Sequence, residues 1–152
     1  MTGRKYNLTF AELCDRLSII ILKSIFIPEN KKAYKEEQEL IMYDIDEILM
    51  DRDDVKHGGR DNTNPVISAK MIRAIMIVML TNRAIWESEA KARAGSPEQD
   101  KLLKFTHSIN GVRNTAKNIL SQELGERVDL KIDCLAAELI KEFGNWNIFK
   151  ED

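Results

Sequence analysis

The chain has 152 residues, 43% of them hydrophobic and 32% charged, with a net charge of −2 and a pI near 5.8. This length suits one domain, 1–152, with a sizeable core, and the near balance of charge argues against nucleic acid as a partner, because duplex binding needs a broad basic surface. Cys14 and Cys134 show neither CxxC nor Cys/His spacing, which favours a reduced, cytoplasmic protein over a disulfide or zinc scaffold.

The N-terminal MTGRKYNLTF lacks the apolar stretch of a secretory signal, and the longest unbroken apolar run, Ala74 to Leu80, is too short to cross a bilayer, so no membrane is expected. Thr9 and Glu12 form a capping box ahead of an apolar pattern that continues to Ile27, where Pro28 stops it. Ile19 to Ile27 is apolar nearly all round, which implies burial on most sides. A second helix is expected over Lys31–Asp51, with Tyr34, Ile41, Ile45, Ile48 and Leu49 facing inward and the first helix as its antiparallel neighbour.

Residues 51–65, DRDDVKHGGRDNTNP, read as an irregular loop or a lid. A third helix should run from Val66 to Arg93 and end before Gly95. Ser96-Pro97-Glu98 then supplies an N-cap, a first-turn proline and an acid for a fourth helix, Pro97–Leu124, stopped by Gly125. A short helix, Cys134–Phe143, follows. The tail 145–152 carries Trp146 and Phe149, which should dock on the bundle or on a neighbouring subunit, the latter giving a homo-oligomer. With no alternating strand pattern, the fold class is all-α: a four-helix bundle of two long hairpins plus a short C-terminal helix.

Polar residues interrupt the faces that should be apolar. On helix three, Asn82 and Glu89 continue the stripe of Met71, Ile75 and Val78, with Trp86 beside it and Arg93 one turn further on. Burying an amide and a carboxylate costs several kcal/mol unless partners compensate, so a polar network or a ligand is implied. Helix one contributes Lys23 and Arg16 on one edge with Glu12, although Glu12 and Arg16 also have the i,i+4 spacing of an exposed ion pair. Helix four carries Asn110, Arg113, Asn114, Lys117 and Ser121 along the margin of its apolar face, with its solvent face at Lys101, Lys104, Ser108, Thr115 and Gln122. Arg16, Lys23, Asn82, Trp86, Glu89, Asn110, Arg113 and Lys117 are therefore the candidate ligand-binding set. Cations beside an indole and amide forks suit a phosphorylated or nucleotide-like ligand, although no glycine-rich phosphate loop accompanies them.

Glu12-Leu13-Cys14-Asp15-Arg16-Leu17-Ser18-Ile19 through Lys23, Asn82-Arg83-Ala84-Ile85-Trp86 with Glu89 and Arg93, and Asn110 with Arg113 and Lys117 together resemble a small all-helical domain family of unknown function. Its bacterial members tend to accompany glycosyltransferase or sugar-processing proteins. The resemblance covers roughly residues 8–121. Ala90 and Gly111 stand where that family tends to have acids, so a paired-acid chemistry does not carry over. The composition, rich in Lys, Ile, Asp and Asn, also resembles that of accessory proteins of T4-type tailed phages, which would place the chain in a host cytoplasm.

These features lead to three readings. The first is a non-enzymatic binding protein for a small anionic ligand, a nucleotide or sugar phosphate, in the manner of a phage accessory or counter-defence factor, with no cofactor and no metal. The second is a magnesium-dependent helical nucleotide pyrophosphohydrolase, drawing on Glu36, Glu39, Asp44, Asp46, Glu47 and Asp51 of helix two. That acidic run also fits a solvated helix face. The third is a structural or partner-binding role without a ligand. His57 and His107 have no positioned partner that would support nucleophile-base catalysis.

Overall fold

Thr9 begins the ordered helical structure as the sequence predicts. Its hydroxyl accepts the Glu12 amide at 3.2 Å and the Glu12 carboxylate accepts the Thr9 amide at 2.7 Å, so two orphan donors are satisfied reciprocally. The computed structural model describes the backbone of residues 6–56 and 67–129 and the side chains of 6–50 and 67–129. Helix α1 spans Phe10–Phe26, and a single 3-10 turn, Pro28–Asn30, leads into α2, Lys31–Lys56. Helix α3 is Ala69–Arg93 and α4 is Gln99–Leu124. The expected helix Cys134–Phe143, the tail 145–152, residues 57–65 of the expected loop and Val66 lie outside the described residues.

Three boundaries differ from the sequence reading. Helix α2 continues through 51–56, because polarity alone does not stop a helix and no glycine or proline occurs before Gly58. Helix α3 starts at Ala69 rather than Val66, since Ser68 accepts the Met71 amide at 3.2 Å as N-cap. Helix α4 starts at Gln99, because Ser96 closes a preceding turn, its hydroxyl accepting the Glu98 amide at 3.3 Å, and Pro97 stays in that turn. Gly125 ends α4 at φ +64°, the left-handed region where a Cβ is strained.

The molecule is an all-α bundle of two antiparallel hairpins, α1/α2 and α3/α4. Helix α1 is its axis, since its backbone lies against α2, α3 and α4, whereas among the described elements α2 makes close backbone contact with α1 and its flanking turn alone. The core joins Phe10 and Ala11 of α1 to Met71, Ala74 and Val78 of α3 and Val112, Ala116 and Leu120 of α4. Helix α2 adds Ile45, Ile48 and Leu49 at the edge, while Ile41 packs with Leu13 and Ile20. One-sided support leaves Leu40, Tyr43 and Met50 of α2 exposed. The end of α1 is also more open than expected, with Ile25 and Phe26 exposed just before the Pro28 turn. Among the described residues, no helix is long and apolar enough to cross a membrane.

Candidate functional site

Asn82 is the residue that joins the three core helices. It is only 3% exposed, and its amide nitrogen donates to Asp15 Oδ1 at 2.7 Å and to Ser18 Oγ at 2.5 Å, both on α1. Its amide oxygen accepts Arg113 Nη1 of α4 at 2.9 Å. Lys117, one turn beyond Arg113, places Nζ 3.0 Å from Asp15 Oδ2, and the Ser18 hydroxyl donates to the Asp15 carbonyl at 2.8 Å. Asn82 thereby spends both amide hydrogens and one lone pair, fixing the register of α1, α3 and α4. Lys117 pairs with the Asp15 carboxylate directly, whereas Arg113 reaches it only through the Asn82 amide. Arg113 Nε, buried, has no hydrogen-bond partner among the described residues.

Arg16 and Lys23 reach a different place. They line a groove of about 470 Å³ on the outer side of α1, which Lys117 enters from α4 and Glu37 from α2. Among the described residues neither the Arg16 nor the Lys23 side chain makes a hydrogen bond or ion pair. The i,i+4 pair of Glu12 with Arg16 does not form, because Glu12 is occupied by the Thr9 amide and by Arg127 at 2.9 Å. Asn82, Arg113 and Lys117 are thus assembled into one network, with Arg16 and Lys23 beside it across Asp15 and Lys117.

Three expected site residues stand apart. Glu89 is exposed and pairs with Arg93 at 3.4 Å, rather than being buried. Its stripe is covered only as far as α1 extends: Phe26, the last residue of α1, stacks on Trp86 at 5.8 Å, and at the next turn α3 meets α4 through Ser88, whose hydroxyl donates to the Leu102 carbonyl at 3.0 Å. Trp86 therefore gives a ring face to Phe26, over which Arg83 also sits at 4.7 Å. Asn110 is half-buried and, among the described residues, its side chain makes no hydrogen bond. Ser108, expected on the solvent face of α4, is buried instead.

Asp15 and Ser18 are the site residues that the sequence reading passed over. Ala11, Asp15, Ser18 and Leu22 recur at steps of four, three and four, a core-facing stripe with two polar members. That stripe is the counterpart of Asn82 and was legible by the same rule. The described acidic side chains of α2 gather no comparable partners: Glu39 is exposed and sits 3.9 Å from Lys35, and among the described residues no three histidine, cysteine or carboxylate side chains are placed to hold a metal ion.

No family model, curated protein or solved structure matches this chain. Its own side chains therefore carry the functional argument.

Cys14 lies beside the network. Burial, with the charges of Asp15 and Glu126, pushes its thiol from 9.0 up to about 12. A thiol held protonated in the folded state favours folding below pH 9, and this contribution is lost as pH rises from 9 toward 12, where the unfolded thiol ionises first. In a Cys134→Ser background, iodoacetamide at pH 8 is expected to label Cys14 slowly in the native protein and rapidly in urea. Equal rates in the two states would contradict the buried thiol.

Proposed function

We propose that the protein binds a small phosphorylated anion in the groove between α1 and α4, without catalysing its turnover. The observation that supports this reading is the placement of Arg16 and Lys23, two cations with no partner among the described residues, on the wall of a groove whose third cation, Lys117, is held by Asp15. The opposing acids are largely committed: Asp15 to Asn82 and Lys117, and Glu12 to Thr9 and Arg127. Of the acids in the groove, Glu37 alone has no side-chain partner among the described residues. A phosphate group offers acceptor oxygens to both free cations and to the remaining Lys117 protons. The interhelical network then positions Lys117 and leaves the ligand outside the core.

The expected measurement is a thermal shift of a few degrees with millimolar nucleoside or sugar phosphates, lost in Arg16→Ala and Lys23→Ala. Arg16 is exposed and Lys23 half-buried, and neither side chain has a partner among the described residues, so these variants should keep close to the parent melting temperature without ligand. No shift with any phosphorylated compound would refute the reading.

A structural role has one specific observation in its favour. The Asn82 network is satisfied internally except at Arg113 Nε, so it can serve purely to set helix register.

A further inference from the structure

A second groove meets the first at Lys117 and Glu12, which line both. It has a volume of about 430 Å³ and runs along the α1/α4 seam toward the end of α4. Ser121, one turn beyond Lys117, lines it while only 3% exposed, and its hydroxyl makes no hydrogen bond among the described residues. Asn114, one turn before Ser121 and on the same wall, is half-buried with an equally unengaged amide. The Ser121 hydroxyl and the half-buried Asn114 amide make no side-chain hydrogen bond among the described residues, so both are available to a molecule seated in the groove.

The far wall is aromatic. Arg127 stacks its guanidinium 3.9 Å from the centre of the Tyr6 ring and is itself held by Glu12 at 2.9 Å and by the Asn7 carbonyl at 2.5 Å. Tyr6 is 74% exposed, so the ring face away from Arg127 is open. The guanidinium fixes the ring in place without covering both sides.

We infer that the two grooves form one bipartite site for a nucleoside phosphate: phosphate among Arg16, Lys23 and Lys117, sugar and base edges on Ser121 and Asn114, and the base stacked on the open face of Tyr6. This rests on the anion-binding reading and narrows it from phosphorylated compounds in general to those with a planar base. A sugar phosphate satisfies the hydroxyl and amide and leaves the aromatic wall unused, whereas a nucleotide uses all three.

The test is calorimetric titration of the full chain with inorganic phosphate, ribose 5-phosphate and adenosine, guanosine, cytidine and uridine monophosphates. At least one nucleotide is expected to bind about tenfold more tightly than ribose 5-phosphate, the scale of one base-aromatic stack. Tyr6→Ala should abolish that preference while leaving ribose 5-phosphate affinity unchanged. Ser121→Ala, a small change that preserves packing, should weaken both compounds and spare inorganic phosphate. Equal affinity for ribose 5-phosphate and every nucleotide, with Lys23→Ala weakening both, overturns the bipartite site and leaves the anion reading intact. Binding by none of the compounds overturns both.

Discussion

Asp15→Ala is expected to lower the unfolding free energy by about 3 kcal/mol, the scale seen when one partner of a desolvated ion pair is removed. The carboxylate is 14% exposed and its partner Lys117 23%, so solvent screens the pair only partly. Removing Asp15 leaves Lys117 facing an empty acceptor position, frees one amide hydrogen of Asn82, and leaves Arg113 and Lys117 with no counter-charge in the network. Urea denaturation at pH 7 measures the loss as a lower midpoint at unchanged slope. A loss below about 0.5 kcal/mol would place Asp15 among ordinary surface pairs and remove the argument that it anchors Lys117.

Asn82→Leu is expected to cost about 3 kcal/mol for a related reason. A side chain of similar size fills the space, but Arg113 Nη1 loses its acceptor, and Asp15 and Ser18 lose a donor, all of them at least partly buried. The double variant Asn82→Leu with Arg113→Met should recover about half of that cost, because replacing both partners by apolar groups removes the stranded guanidinium. Strict additivity of the two single losses would show that Asn82 and Arg113 are not energetically coupled. Neither substitution should abolish phosphate binding in the outer groove if Asp15 still holds Lys117, which separates the network's structural work from the ligand's contacts.

The helices were legible because their signals are local. The Thr9/Glu12 box, Pro28 and Gly125 each act within one turn of backbone, so a reader of the sequence meets cause and effect together. The end of α2 was not, since residues 51–56 carry polar side chains that a helix tolerates as readily as a loop. Within the site, Asn82, Arg113 and Lys117 were recoverable as polar members of apolar-edged stripes, and Asp15 and Ser18 could have been found by the same rule. Glu89 could not be separated from Asn82 by periodicity, because both lie on the same side of α3.

By itself the sequence determined the all-α class, the antiparallel hairpins and the presence of polar groups that a helical core must accommodate, because hydrophobic period and capping chemistry are properties of each segment alone. Only the tertiary structure decided which of those groups are spent. Where α1 ends at Phe26, Glu89 is left to Arg93 and Trp86 to Phe26; where α1 and α4 run side by side, Asp15 takes Lys117 while Arg16 and Lys23 line the groove with no partner among the described residues. That partition depends on the relative lengths and registers of helices far apart in the chain, and no single helix encodes it.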